Sequence, residues 1–303
     1  MKKQQNKILA SRGERIFYKI NGVVMGLLIL ITIYPMLYVI FCSFSDPDQF
    51  AFKMGTMMLA PAGFSLKGYQ TILSMPSIWL GYRTTIFYVV VGTLISMAFT
   101  VIGAYILSRK EFMLKKTIMA LVVFTMYFSG GMIPTYLAVK EIGLTNSIWG
   151  FLLPGAVSVY NMIVLRTSFN AIPQALMDSA YIDGAGDGRI LLHVVLPLST
   201  AALATITLFY AVGYWGAWYN ALVYLQARRD LYPLQMYLRE ILITDQTTDA
   251  FMNALNGNGA NQYLLKEVIK YCTIVIATVP ILLVYPFIQK YFVKGVMLGA
   301  IKE

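Results

Sequence analysis

The sequence has few charged residues and few of the side chains that bind metals or form disulfides. Charged residues occupy 13% of its 303 positions, whereas a typical soluble domain has about 25%. It holds one histidine, His193, and two cysteines, Cys42 and Cys272, both inside apolar stretches. These counts exclude a disulfide framework and a cysteine zinc cluster. We expect both cysteines to be buried, and no metal at His193, which has no second histidine or cysteine nearby in sequence.

Apolar residues make up 58% of the chain, which indicates an integral membrane protein rather than a secreted disulfide domain, a soluble enzyme or a disordered chain. A helix of about 20 apolar residues crosses a bilayer, and backbone facing lipid must satisfy its own hydrogen bonds. The predicted fold is therefore all-α, a polytopic membrane protein with six transmembrane helices. The predicted spans are 21–45, 80–108, 117–139, 148–169, 199–226 and 268–293. The first is longer than the roughly 7–15 apolar residues of a signal peptide, so we expect it to be retained.

The basic residues predict the orientation of the spans. The net charge of +10 is not concentrated in a Lys/Arg block interleaved with aromatics, so nucleic-acid binding is not expected. Most basic residues fall on one side of the predicted membrane, which the positive-inside rule makes cytoplasmic. These residues are Lys2, Lys3, Lys7, Arg12, Arg15, Lys19, Arg109, Lys110, Lys115, Lys116, Arg166, Arg189, Lys290, Lys294 and Lys302. We therefore predict a cytoplasmic tail over 1–20, a membrane domain over 21–293 and a second cytoplasmic tail over 294–303.

The spans lack features of a self-powered carrier or an enzyme. No Asp, Glu or His lies at the centre of a predicted span, although proton-coupled carriers keep such residues for function. Arg83 and Arg166 lie at span ends, where we expect their long side chains to reach the interface. The sequence also has no GxxxxGK[ST] loop for ATP and no nucleophile–base pattern. The chain is thus predicted to form a pathway without its own energy source; a stand-alone channel or ion-coupled carrier is the alternative.

The loop over 170–197, between predicted spans four and five, carries the most specific pattern. It predicts a short amphipathic helix with Pro173 at its start, where a missing N–H costs nothing. Gly184 can adopt a left-handed conformation and end that helix. Ala180 and Ala185 are small, so a partner surface can approach closely.

This loop resembles the "EAA" loop of permease subunits of binding-protein-dependent ABC importers. That pattern is Glu-Ala-Ala, three residues, Gly, nine residues, Ile, one residue and Leu-Pro, and every spacing is kept here. The matching residues are Asp178, Ser179, Ala180, Gly184, Val194, Leu196 and Pro197. Asp178 and Ser179 depart from the family's Glu and Ala. Asp183-Gly184-Ala185 further resembles the carbohydrate-importing branch.

The end of the chain resembles a second family feature. Gln289–Gly295 followed by Gly299–Lys302 is similar to the tail of maltose-transporter-like permeases, which can reach between the ATPase subunits. Glu303 replaces the usual final glycine. A basic tail held at the inner membrane surface is the alternative.

The resemblance implies an oligosaccharide importer in the plasma membrane of a bacterium, or an importer of another solute. This chain would have no cofactor. Its partners would be a second related permease subunit, two ATPase subunits that bind ATP and Mg, and an extracytoplasmic solute-binding protein. The residues that would dock to an ATPase are Asp178, Ser179, Ala180, Asp183, Gly184, Ala185, Leu196 and Pro197. Asp178 would pair with a basic residue of that ATPase; a solvated carboxylate of little energetic weight is the alternative.

Aromatic and amide residues in spans four and five are candidates for lining the sugar pathway. Aromatic rings stack on the apolar faces of sugars, and amides bond hydroxyl groups. In one continuous helix, Tyr214 would share a face with Trp218, and Trp215 with Tyr219. The candidates are Asn161, Tyr210, Tyr214, Trp215, Trp218 and Asn220. An interfacial aromatic belt and ordinary helix packing are the alternatives.

Two further segments leave alternatives open. Pro154 and Gly155 in span four indicate a helix that is locally broken around a cavity, or one that simply packs there. The polar outer segment 227–265 could touch a solute-binding protein or serve as a connector.

Overall fold

In the computed structural model, residues 11–242 and 259–300 are described, with side chains for 11–242, 264–284 and 286. Regular structure in these ranges is helical, apart from one isolated bridge between Ser45 and Phe64. The first helices are α1 (Arg12–Ser43), α2 (Pro47–Ala51), α3 (Lys67–Leu73), α4 (Pro76–Ser108), α5 (Lys115–Tyr127), α6 (Met132–Glu141), α7 (Ile148–Leu152) and α8 (Val159–Asn170). The rest are α9 (Gln174–Ile182), α10 (Asp187–Ile190), a π-helix (Leu191–Val195), α11 (Leu196–Leu198), α12 (Thr200–Trp215), α13 (Trp218–Tyr224), a 3-10 turn (Arg229–Leu231), α14 (Leu234–Leu242) and α15 (Gly259–Ala300).

Several of these helices are long and apolar enough to cross a membrane. Three qualify alone within the described ranges: Arg12–Ser43, Pro76–Ser108 and the stretch Leu264–Val284 of α15. Two bent helix pairs raise the number to five if each pair counts as one span. The protein is therefore mostly helical and multi-pass, while the count of six spans remains a prediction.

The chain divides into two compact units, of which the first comprises residues up to Ile72 and the segment ending at Val275. The capping box of Ser11 and Glu14 begins α1, and most of the apolar side chains of that helix are exposed in this chain. The Cys272 thiol is buried and donates to the Ser43 carbonyl at 3.2 Å. Cys42 is buried as well, so both cysteines behave as small apolar residues, as predicted.

The second unit is built around α4, which packs against α8, α12 and α14. One of its core clusters surrounds Tyr88, whose ring stacks on Phe151 with centroids 4.0 Å apart. A second cluster joins the end of α4 to α8, α9 and the π-helix, and includes Leu165, Phe169 and Ile190. Three buried polar residues of α4, Thr85, Ser96 and Thr100, are hydrogen-bonded to neighbouring elements, as in the bond of 2.8 Å from the Leu234 N–H to Thr85 Oγ1.

Predicted spans three and four are not continuous helices. The chain bends by 115° between α5 and α6, where Gly131 takes a φ of +87° that other residues rarely adopt. Span four is interrupted after Leu152, and α8 begins only at Val159, where the Ser158 side chain caps its first turn. The interruption contains Pro154 and Gly155 and agrees with the predicted local break.

Predicted span five is divided too. The chain bends by 88° where this span begins, between the segment ending at Leu198 and α12, and the break inside the span comes where α12 ends at Trp215. Gly216 follows α12, and a new helix starts at Trp218. The shared faces expected for Tyr214 with Trp218, and for Trp215 with Tyr219, were therefore wrong, because a four-residue spacing places side chains together only within one helix.

Candidate functional site

The loop with the EAA-like pattern forms the helix α9, whose end has a specific hydrogen-bond geometry. Gly184 has a φ of +75°, its N–H donates to the Tyr181 carbonyl at 2.9 Å, and the Ala185 N–H donates to the Ala180 carbonyl at 2.9 Å. These two bonds and the left-handed glycine make up a Schellman motif. Ala180 and Ala185 occupy the two positions whose side chains are often in contact in such motifs. Both alanines pack against the second core cluster. The predicted helix end at Gly184 is confirmed.

One face of α9 is exposed, and it includes two matched residues of the loop pattern. Ala175, Asp178, Ser179 and Ile182 are exposed, with Ile182 at 87%. Their spacing of three and four residues puts them on the same side of the helix. The Asp178 carboxylate accepts a bond of 3.1 Å from the Gln174 amide and otherwise faces outward. This face therefore presents one carboxylate and one widely exposed apolar side chain side by side.

The opposite face holds α9 to the rest of the unit. Met177 is buried, and Ala180 is half-buried. Asp183 caps α9 and is exposed. Leu196 is half-buried and Pro197 exposed in α11, directly after the π-helix. The pattern residues thus occupy two places: the exposed face and end of α9, and the irregular helix leading to the 88° bend.

A buried arginine beside α9 was not predicted as a site residue. Arg109 follows the end of α4, and its side chain is 10% exposed. Its guanidinium donates to Met177 Sδ at 2.7 Å and to the Tyr181 hydroxyl. It also lies 3.8 Å from an Asp187 carboxylate oxygen. In sequence Arg109 resembles the other loop cations, and only the fold shows that it is enclosed.

Two tyrosines complete this cluster. The hydroxyls of Tyr105 and Tyr181 donate to Asp187 Oδ1 at 2.9 and 2.6 Å. Their rings lie 5.4 and 5.2 Å from the guanidinium carbon of Arg109, within the range of cation–π attraction. Partial burial, and then the hydrogen bond to Asp187, raise the pKa of Tyr181, so its hydroxyl stays protonated as a donor. A cavity of about 740 Å³ opens beside the cluster, and Glu111 is among its lining residues.

Two more cations bind the last carbonyls of α4. The Arg166 Nε donates to the Leu107 carbonyl at 2.8 Å, so this arginine caps a neighbouring helix. The Lys115 ammonium donates to the carbonyls of Ser108 and Arg109 at 3.2 and 3.1 Å. Cations at a helix C-terminus complement its dipole and satisfy its free acceptors. The end of α4 is therefore firmly held.

Two candidates for the sugar pathway are used in helix packing. Tyr210 and Tyr214 are each 6% exposed, and their hydroxyls bond Thr100 at 2.7 Å and Ser96 at 3.0 Å on α4. The Tyr210 hydroxyl also accepts from the Ser158 N–H at 3.0 Å, and the Tyr214 hydroxyl donates to the Leu152 carbonyl at 3.3 Å. Ser158 and Leu152 flank the interruption between α7 and α8. The tyrosines thus bond backbone groups that a continuous helix would have satisfied.

The other pathway candidates differ in exposure. Asn161 is buried in the first turn of α8, and the half-buried Trp215 donates from its indole to the Ala277 carbonyl at 3.2 Å. Trp218 is 37% exposed, and the Arg239 guanidinium carbon lies 5.0 Å from its ring centre. Asn220 is half-buried. Residues 254–258 and 301–303 of the predicted outer-loop and tail motifs lie outside the described part of the chain, as do the side chains of 287–300.

Comparison with known proteins identifies the family. The chain is 43% identical over 273 residues to the polygalacturonan/rhamnogalacturonan transport system permease protein YtcP of Bacillus subtilis (strain 168). That match covers 90% of this chain and 93% of the relative. The chain belongs to the carbohydrate ABC transport permeases. No family model matches it.

Two other matches agree with this assignment. Protein LplC of Bacillus subtilis (strain 168) is 38% identical over 293 residues, which cover 96% of this chain and 97% of LplC. The fold matches a chain in the crystal structure of a bacterial ABC transporter involved in the import of the acidic polysaccharide alginate. The TM-score is 0.86 at 34% identity, over 94% of this chain and 99% of the other. This permease is therefore a transporter subunit, and the family does not fit a stand-alone channel or ion-coupled carrier.

Proposed function

We propose that this permease provides one half of an inward pathway for acidic oligosaccharides. The alginate transporter takes up an acidic polysaccharide, and polygalacturonan, in the name of YtcP, is a polymer of a sugar acid. Both proteins are similar to this chain over at least 90% of its length. These two similarities favour an anionic sugar over a neutral one.

In this proposal, partner ATPase subunits supply the energy for transport. The exposed face of α9 is the observation that supports this part of the proposal. Asp178 and Ile182 present a carboxylate and an apolar side chain together, as expected of a helix that docks in a groove of an ATPase. We propose two ATPase subunits that bind ATP and Mg, a second related permease subunit and an extracytoplasmic solute-binding protein. ATP drives transport because it binds the two global states of the complex with different affinities.

The topology forms part of the same proposal. Six spans would place α9 and both termini in the cytoplasm, with the chain in the plasma membrane of a bacterium. The distribution of basic residues and the five apolar helices or helix pairs support this arrangement.

The pathway residues take two roles in this proposal. Trp218 and Asn220 retain accessible surface in this chain and are assigned to sugar contact. Asn161, Tyr210, Tyr214 and Trp215 are assigned to the shape of the pathway, and the hydrogen bonds of the tyrosines support a role in holding the interrupted span open.

Reconstitution tests the proposal. The permease is co-expressed with a related second permease and an ATPase subunit of a carbohydrate ABC importer, and the complex is purified and placed in liposomes with the solute-binding protein. We expect uptake of labelled oligogalacturonate only with ATP inside, and competition by unlabelled acidic oligosaccharides but not by maltodextrins. Uptake without the ATPase subunits would contradict the transport mechanism, and competition by maltodextrins alone would contradict the acidic substrate.

A further inference from the structure

The Arg109 side chain is buried between the end of α4 and α9, which is an unusual place for a charged side chain. Only 10% of its side chain is exposed, although three other cations follow it closely, Lys110 in the same loop and Lys115 and Lys116 at the start of α5. Of these, Lys110 is exposed, as is usual for a charged residue after a helix. A buried guanidinium requires compensating contacts. The elements that supply those contacts show which parts of the protein this arginine connects.

Most contacts of Arg109 lead to α9 and to the segment directly after it, while its Nε also lies 3.9 Å from a carboxylate oxygen of the exposed Glu111 in its own loop. Its guanidinium bonds Met177 and Tyr181, both on α9, and pairs with Asp187 at the start of α10. Tyr105, on the last turn of α4, bonds the same Asp187 oxygen as Tyr181. Side chains from three helices thus converge on one cation, with donors, acceptors and rings on several sides of it.

Helix α4, which ends directly before this arginine, is joined to α12 by buried hydrogen bonds. The hydroxyl pairs Ser96–Tyr214 and Thr100–Tyr210 join α4 to α12 through the buried core. Gly92 allows a further close contact, because a Cβ there would lie 2.6–2.8 Å from the Tyr214 ring. A displacement of α9 that is passed to α4 therefore reaches α12 and the interrupted span.

We infer that Arg109 is a positioning residue that fixes α9 to the end of α4, so that movement of the docked helix is transmitted to the membrane helices. The inference rests on the proposed function, since it requires an ATPase that moves α9. Without the arginine, α9 can still present Asp178 and Ile182 to a partner. α9 would then move relative to the end of α4, and its displacement would not reach the membrane helices.

The test uses the reconstituted complex with Arg109→Gln, Tyr181→Phe and the matched control Lys110→Gln. Lys110→Gln removes the same charge from the adjacent, exposed position. For Arg109→Gln we expect the ATPase subunits to co-purify normally and basal ATP hydrolysis to persist. The amount of sugar moved per ATP should fall at least tenfold, and stimulation by the loaded binding protein should be lost.

Tyr181→Phe removes one hydroxyl from a partly exposed ring and is a milder change than Arg109→Gln. It tests the inference if the Arg109→Gln permease does not assemble with its partner subunits. We expect a smaller loss of sugar moved per ATP, about threefold, and a double variant no worse than Arg109→Gln alone, because both residues act through one contact. Wild-type coupling in both single variants, or loss of ATPase co-purification in Tyr181→Phe, would overturn the inference. If wild-type complex shows no ATP-driven uptake, the proposed function fails instead.

Discussion

The carboxylate of Asp178 is the one acidic group on the exposed face of α9, held in place by the Gln174 amide of the preceding turn. We expect Asp178→Lys to weaken ATPase association by about 1–3 kcal/mol, roughly 5- to 150-fold, because a cation would then face the partner's basic residue. Asp178→Glu should be tolerated, since it restores the family residue. Co-purification of the ATPase, together with uptake of labelled sugar, measures both effects.

The control for Asp178 is Ser179→Lys, which adds a cation at the next exposed position but leaves the carboxylate. We expect a weaker effect on ATPase association than that of Asp178→Lys. Equal ATPase recovery from wild type and Asp178→Lys would mean that α9 docks through shape and Ile182 alone.

Gly184 ends α9 with a left-handed backbone, which is unfavourable for a β-branched residue. We expect Gly184→Val to cost about 1–2 kcal/mol of local strain and to reorient the end of α9. The protein should remain folded in the membrane, while uptake should be abolished and ATP hydrolysis should lose its dependence on substrate.

Gly186→Val is the matched control for Gly184→Val, because Gly186 has a φ of −74° and no atom within 4 Å of an added Cβ. Uptake by this variant should stay near the wild-type level. Normal uptake by Gly184→Val would contradict the assignment of this loop to coupling.

At the scale of the elements, the contact between α4 and α12 depends on one small residue. A Cβ on Gly92 would approach the Tyr214 ring to 2.6–2.8 Å, closer than atoms of this kind tolerate. We expect Gly92→Ala to displace the ring, weaken its bond to Ser96 and lower stability by about 1–3 kcal/mol. The unfolding midpoint of the detergent-purified complex should fall by several degrees.

Gly213→Ala provides the comparison, since Gly213 lies on α12 with no atom within 4 Å of an added Cβ. Alanine also favours a helix more than glycine does, so the midpoint should stay the same or rise. If both variants shift the midpoint equally, the effect belongs to helix propensity and not to the packing of Tyr214.

For the whole molecule, the predicted orientation can be tested by thiol labelling. Cys42 and Cys272 are both 0% exposed, so the native protein should react little with a membrane-impermeant maleimide. We expect Lys53→Cys to be labelled in intact cells and Ser179→Cys only after permeabilisation, since the two exposed positions would lie on opposite sides. Labelling of Ser179→Cys from outside, with Lys53→Cys protected, would reverse the topology.

The sequence by itself determined the class of protein, the helical character of the spans and the end of α9 at Gly184. These features depend on local chemistry: about 20 apolar residues form a helix because lipid leaves the backbone no other partner. A glycine after an amphipathic turn ends a helix because it alone adopts the left-handed conformation without strain. The EAA-like spacing predicted the family, which the comparisons with known proteins then showed.

The break in span four was predicted from Pro154 and Gly155, but only the tertiary structure decided how spans three and five are interrupted and which polar residues are enclosed. The length and composition of 199–226 fit one straight helix, yet the helix stops at Trp215 and separates the aromatic candidates. Tyr210 and Tyr214 bond backbone groups more than 50 residues away in sequence, at the interruption of span four. Arg109 resembles any loop cation until Met177, Tyr181 and Asp187 are folded around it. Such contacts join distant parts of the chain, and no local pattern of residues specifies them.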